Sequence, residues 1–454
     1  MNILLVNPTR LDKDRKPIKY RKAFFPPLSL AILNSLTPSS HKVSVVNDIV
    51  ENIDFSRSYD LVAITSMTTQ IDRAYQIADH FRDLGTKVII GGIHATVLPQ
   101  EAKGHADSVV IGEVDNLWEQ ILRDFEHNCF REFYQDSSFP DLQKLVIPKW
   151  ENINLRIYPK PIGQKLPVMP IFTTRGCIFN CKFCSVSKFF GRSYRFKPIA
   201  HVLKEIESTN TKEYFFVDDN IACDADYSRE LFKALAKKGI HWMSQISTNV
   251  LKAPDLIDMA AKSGCNYLFI GIESINSLNL KYVRKTFNKI EEYGELFARL
   301  MKAGIDPLVF IIFGFDDDYP EQFKLTTDFL LKNKIGTAFF WILTPLPGTD
   351  LYEEMDREGR ILSKNWASYD LSNIVFKPKH FTVDEFYKSY WKNYQEYFSI
   401  KNIAKRTFYT VRISSNPAHA FLRSLFYQFY FRKKVNSYDH PFSGGIFRVM
   451  QKDS

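Results

Sequence analysis

The chain has 454 residues, 45% of them hydrophobic and 24% charged, which is long enough for two or three separate cores and too apolar for a disordered protein. Its net charge of +9 is modest at this length, and it permits contact with anionic lipids, phosphorylated substrates or nucleic acid without selecting among them. No run approaches the roughly eighteen apolar residues that a membrane-spanning helix needs. The apolar start Ile3-Leu4-Leu5-Val6, closed by Pro8, fits a buried strand and not a secretion signal. A cytoplasmic protein is expected, in a reducing compartment that suits cysteines used as ligands.

Residues 1–127 alternate apolar runs (Ile3–Val6, Val43–Val46, Leu61–Thr65, Val88–Ile90, Ser108–Ile111) with amphipathic stretches such as Pro27–Leu36 and Gln70–Leu84. Continuous Val/Ile/Leu strands separated by helices predict a doubly wound parallel sheet covered on both faces. Ligands of such sheets sit at the carboxyl ends of the strands. Those ends carry Ser66 and Thr68 after the third strand, Gly91-Gly92 after the fourth, and Gly112-Glu113 after the fifth. Glycine lets a ligand approach the backbone because it has no Cβ.

Residues 128–165 lose periodicity and gather prolines at 140, 148, 159 and 161, as expected of a linker. Cys129 falls here alone and is read as a bystander.

The second domain, 166–350, repeats strand, turn and helix. Its strands are read at Ile171–Thr174, Tyr214–Val217, Met243–Ser247, Tyr267–Ile272, Leu308–Phe313 and Ala338–Leu343. Six such units predict a partial barrel whose strand ends share one mouth. After the first strand comes Thr173-Thr174-Arg175-Gly176-Cys177-Ile178-Phe179-Asn180-Cys181-Lys182-Phe183-Cys184. Three thiols on one short loop suit one face of an iron–sulfur cluster, leaving an iron open for chemistry. Zinc would need a fourth ligand, and His201 and Cys223 lie too far along to complete a paired-ligand spacing. Polar groups continue the other strands: Asp218-Asp219-Asn220, Ser247-Thr248-Asn249, Gly271-Ile272-Glu273-Ser274 and Gly314. Acids at strand ends often cap helices, the reading taken for Asp224 and Asp226. Where the acid directly continues an apolar strand, as at Asp218 and Glu273, a ligand site is preferred.

Cys-x3-Cys-x2-Cys with Phe183 before the third cysteine resembles the signature of the radical S-adenosylmethionine (SAM) superfamily. The Ser-rich turn and later Gly pair of the first domain are similar to cobalamin-binding domains. Together with Thr344-Pro345-Leu346-Pro347-Gly348-Thr349, Trp366 and Tyr369-Asp370, the resemblance to cobalamin-type radical SAM proteins covers nearly the full chain. It implies a 4Fe-4S cluster on Cys177, Cys181 and Cys184, with SAM on the open iron. Phe183, Asp218, Asn249, Glu273 and Gly314 would surround SAM, and Ser66, Thr68, Gly91, Gly92, Gly112 and Glu113 would hold cobalamin. Two departures stand out: Ile178 where many relatives carry Pro, and no Asp-x-His-x-x-Gly after the first strand, where the loop reads Pro8 to Lys16. His94 and His41 are the nearby imidazoles, each read as an ordinary histidine.

The implied reaction is methylation of an unactivated carbon, through a 5′-deoxyadenosyl radical and methylcobalamin, on a small-molecule or lipid-like substrate. A flavodoxin or ferredoxin would be the electron donor. Cyclisation, ring contraction or oxidation on the same architecture, and a non-enzymatic cofactor or metal sensor, are the alternatives. In the C-terminal region, 351–454, Tyr387, Tyr390, Trp391, Tyr394, Tyr397 and Phe398 form one helical stripe, and Leu422, Leu425, Phe426 and Phe429 form a second, followed by Arg432-Lys433-Lys434. The plain reading is a helical cap on the barrel. The sharper one is an aromatic, basic surface that touches a membrane.

Overall fold

The apolar runs condense into two parallel sheets. In the computed structural model, which describes residues 1–161, 163–413, 417–442 and 444–449, the first sheet has the spatial order Lys42–Asn47, Asn2–Asn7, Leu61–Thr65, Lys87–Gly91, Ser108–Ile111, Phe133–Gln135. Leu4 and Val6 enter the core on one face, and Ile3 and Leu5 the core on the other. That is why Ile3–Val6 is apolar at every position. The order reverses between Asn2–Asn7 and Leu61–Thr65, the switch point beside which doubly wound sheets bind ligands.

The stretch after residue 127 does not begin as a linker. Phe133–Gln135 pairs with Ser108–Ile111 as the sixth strand, and the buried Tyr134 donates to Asp124 at 2.9 Å. With three residues the strand is too short to show a period, so the sequence hid it.

The second sheet runs Met169–Ile171, Glu213–Phe216, His241–Ile246, Cys265–Glu273, Asp306–Phe313, Thr337–Ile342, each strand parallel to the next. Outward residues such as Trp242, Ile270, Val309 and Phe340 are buried under the helices, while the alternate residues Met243, Phe310 and Trp341 are only partly buried. The first strand is shorter than expected, ending at Ile171; Thr174–Arg175 then pairs antiparallel with Arg195–Phe196, so that this small ribbon brackets the cysteine loop.

Among the described residues the last three helices are Val383–Tyr397, Ile400–Ile413 and Pro417–Asn436. The first opens on a capping box between Thr382 and Glu385, which satisfies two orphan N–H groups. Its aromatic stripe is a packing surface: Tyr390, Trp391, Tyr394, Tyr397 and Phe398 are buried in the barrel core, and the Tyr390 hydroxyl donates to the Phe340 carbonyl at 2.7 Å. The second stripe is different, with Leu422, Phe426 and Phe429 exposed. The chain then returns to its beginning, where Gly445–Arg448 pairs antiparallel with Tyr20–Ala23, a pairing of distant segments that no local pattern announces. Among the described residues no helix is long and apolar enough to cross a membrane.

Candidate active site between the two sheets

A cavity of about 300 Å³ opens where the carboxyl ends of the two sheets meet. One wall comes from the first domain: Gly91, Gly92 and Gly112 at the rim, with Leu28, Ile32, Ala63, Ile89 and Trp118 behind them. The other comes from the barrel, with Phe172, Thr174, Arg175, Phe190 and Asp219. Both sheets therefore offer their ligand-binding ends to one space, as doubly wound sheets and β/α barrels do separately.

Gly92 has φ +101°, and a Cβ there would lie 2.5 Å from the Ser66 carbonyl oxygen. Only glycine lets the fourth strand turn this close to the third. A Cβ on Gly112 would meet nothing within 4 Å, so the space beyond it is open to a ligand. The small rim over an apolar floor fits a large cofactor with an apolar tail. Ser66 and Thr68 are buried and do not line the cavity. Thr68 Oγ1 lies 3.3 Å from His94 Nδ1, and His94 Nε2 lies 3.1 Å from Glu101. With both nitrogens engaged and no exposure, His94 is a structural histidine. Trp366 and Tyr75 donate to the same Glu101 oxygen, which docks the post-barrel segment onto the first domain. Glu113 does not extend into the cavity as a lone carboxylate: its two oxygens accept from Arg175 and Arg195 of the barrel.

On the barrel side, Gly176 at φ +91° leads into the cysteine loop, and a Cβ there would lie 2.2 Å from the Ser193 carbonyl oxygen. Burial pushes the thiols of Cys177 and Cys184 up to about 12 and raises that of Cys181. In the metal-free loop the three are neutral at pH 7, so loading a metal centre on them releases protons. Among the described residues no three His, Cys, Asp or Glu side chains converge as they would on one ion. A cubane asks for a wider spread, because each thiolate binds a different iron. The donor set therefore fits a 4Fe-4S cluster. Phe183, partly buried, packs on the barrel core beside the loop.

The acids sort differently from the sequence-based expectation. Asp218 is fully buried, and its carboxylate accepts from the N–H and hydroxyl groups of Thr173 and Thr174 at 2.5–3.1 Å. It holds the strand end that carries the cysteine loop and has no face left for a ligand. Its neighbour Asp219 lines the cavity instead, and burial together with the Asp218 charge raises its carboxyl to about 7. Glu273 is buried at φ +63°, where the register with the next strand slips, and it pairs with Lys285. Such a left-handed, non-glycine residue costs about 1–3 kcal/mol and gathers at functional sites. Gly271 makes room for that pair, since a Cβ on it would lie 2.3 Å from Glu273 Oε1. Asn249 is half-buried at the third strand end. Gly314, at φ +107°, donates to Asp318 at 2.8 Å, and burial raises that carboxyl to about 6.

Sequence reasoning passed over Arg175, Arg195, Asp115, Lys285 and Asn288, and it named Asp219 only within the Asp218-Asp219-Asn220 turn. Asn288 ties two strand ends together, donating to the Gly271 and Ile272 carbonyls and accepting from Thr248. None of these stands in a spacing pattern, although Arg175 and Asp219 are adjacent in sequence to residues that do.

The comparisons with known proteins agree with this geometry. The family model described as the Radical SAM superfamily matches residues 171–330, and that of the B12 binding domain matches residues 27–122. Bacteriochlorophyllide d C-12(1)-methyltransferase of Chlorobaculum tepidum is 33% identical over 84% of this chain and 84% of its own length. Bacteriochlorophyllide d C-8(2)-methyltransferase of the same organism is 32% identical over 88% and 90%. The solved structure of the cobalamin-dependent S-adenosylmethionine radical enzyme OxsB, with aqua-cobalamin and S-adenosylmethionine bound, superposes with a TM-score of 0.67 at 13% identity, covering 96% of this chain and 72% of that one. At that identity the likeness speaks for the fold. The chain thus belongs to the radical SAM superfamily, as a methyltransferase-type enzyme that carries a B12 binding domain.

Proposed function

We propose that the protein methylates an unactivated carbon of an apolar cyclic substrate, with bacteriochlorophyllide-type macrocycles as the first compounds to test. The observation that carries the reading is the single cavity with a glycine rim on one wall and the cysteine-loop strand on the other. Cys177, Cys181 and Cys184 would hold a cluster able to supply an electron for cleaving SAM, and a cobalamin on the first domain would supply the methyl group, as the cofactors' own chemistry.

The protein's residues position and enclose. Gly112, where a Cβ would meet nothing within 4 Å, leaves room for a corrin to approach the backbone, and Gly91 and Gly92 line the same rim. Asn249 and Glu273 are the strand-end groups that would meet SAM, with Lys285 holding the Glu273 carboxylate in place, whereas Gly314 spends its N–H on Asp318 and faces Phe376 and Phe386. Phe183 offers an apolar surface beside the cysteine loop, and Phe172 and Phe190 line the barrel wall of the cavity, where apolar rings disfavour water. A low-potential flavodoxin or ferredoxin is the expected electron donor. An apolar substrate also favours a cytoplasmic enzyme that works at the inner membrane face.

The test is an anaerobic incubation with methyl-deuterated SAM, a strong reductant and bacteriochlorophyllide d. Transfer of a labelled methyl group to a substrate carbon supports the reading. SAM cleavage with a product of unchanged carbon count points instead to cyclisation or oxidation on this architecture.

A further inference from the structure

The sequence from 397 to 438 holds eight Lys or Arg and no Asp or Glu, although the chain as a whole has 51 acidic residues. The helices Ile400–Ile413 and Pro417–Asn436 that it forms pack against each other and against the barrel. Thr407 and Ser424 share a hydrogen bond of 3.1 Å between them, and Phe431 and Val435 reach the barrel core. Each helix presents an outward stripe at the same helical spacing: Lys401, Lys405, Phe408 and Arg412 on one, Leu422, Phe426, Phe429 and Lys433 on the other. Leu422 is 68% exposed, Phe426 61% and Phe408 59%. The four outward cations make no ion pair with a described residue. By contrast Arg406, on the inward face, is buried against Tyr397 at 3.9 Å.

Large apolar side chains left in water cost free energy and mark interaction surfaces. Here they stand beside cations on two neighbouring helices, and interfacial helices combine those two residue classes. Charge selects among occupants. A second copy of this surface would place unpaired cations against cations across a two-fold axis, whereas an anionic bilayer attracts every one of them and takes up the rings. We propose that these two helices dock the enzyme on the surface of an anionic lipid bilayer, with Phe408, Leu422, Phe426 and Phe429 entering the headgroup region and Lys401, Lys405, Arg412 and Lys433 meeting the lipid phosphates. The inference rests on the reading of an apolar substrate for its biological purpose only. Docking and methyl transfer are separately measurable.

The full chain, loaded with its cofactors, is floated with vesicles of phosphatidylcholine alone or mixed with phosphatidylglycerol, at low and at high salt. Binding is expected to the mixed vesicles only and to weaken with salt. Two double variants, Leu422→Ser with Phe426→Ser and Lys405→Glu with Arg412→Glu, should each reduce partitioning at least about tenfold, with unchanged melting temperature and SAM cleavage. Absence of binding to the mixed vesicles, or binding that survives both variants, overturns the proposal. So does a dimer in sedimentation that either variant dissociates, because the surface would then belong to a second copy.

Discussion

Arg175 and Asp115 face each other across the boundary between the two domains, joined by two hydrogen bonds of 2.8 and 3.1 Å. Arg175 lies two residues ahead of Cys177, and Asp115 follows the glycine rim of the first domain. The same guanidinium also donates to Glu113, whose other oxygen is taken by Arg195. The two walls of the cavity are therefore tied together by a nearly buried network of two cations and two anions. Such networks add little net stability compared with apolar contacts, but removing one member leaves charge stranded. The variant Arg175→Gln should destabilise the protein by about 3–5 kcal/mol in urea. Arg175→Lys keeps the charge but loses the two-pronged fork, and it should fall between. A loss below about 1 kcal/mol for the Gln variant would show that the network does not join the domains.

The two close-approach glycines make separable predictions. Gly176→Ala puts a methyl 2.2 Å from the Ser193 carbonyl at φ +91°, and it should lower bound iron while leaving cobalt unchanged. Gly92→Ala, 2.5 Å from the Ser66 carbonyl at φ +101°, should do the reverse. Metal analysis of both proteins checks the pair, and equal losses of both metals in each would argue for general misfolding.

His440 gives a pH dependence. Its ring stacks on Trp341 at 4.1 Å, Nε2 donates to the Phe340 carbonyl at 2.8 Å, and Nδ1 accepts from the Phe442 N–H at 3.1 Å. Burial, helped by the charges of Lys434 and Arg10, lowers it from 6.5 to about 3. The folded state keeps this histidine neutral while the unfolded chain binds a proton below pH 6.5, so its stabilising effect is complete above that pH and is lost as pH falls toward 3. Between pH 7 and pH 5 the loss should be about 2 kcal/mol. Melting curves of the native protein and of His440→Gln at both pH values test this, since the variant should lose the histidine's share of the slope.

Cys181→Ala removes one of three cluster ligands, and a cubane held by only two protein thiolates is not expected to persist. Production of 5′-deoxyadenosine under strong reductant should stop, and retained production would remove the cluster from Cys181.

Much of the architecture was legible in the chain. Ile3–Val6 and Leu61–Ile64 are apolar at every position because each is buried on both faces, and the cysteine spacing marked its loop without help from structure. Boundaries and roles were less legible. Phe133–Gln135 is too short for a period to show, and Gly445–Arg448 pairs with a segment more than four hundred residues away. Asp218 and Asp219 are adjacent and chemically identical, and only the fold decides that Asp218 turns inward to Thr173 and Thr174 while Asp219 faces the cavity. Arg175 and Glu113 carried no spacing signal because their partners lie in the other domain. The two aromatic stripes of the C-terminal helices share one period yet differ in fate, since only the first meets the barrel.

The central claim is that the chain carries a cluster on its cysteine loop and a cobalamin against the glycine-rimmed wall of the first domain. Iron and cobalt measured per chain, in protein purified without oxygen from cells fed cobalamin, test it most directly. The expected result is about four irons and cobalt equimolar with the chain. Iron without cobalt would contradict it, leaving the glycine-rimmed wall without the cofactor assigned to it.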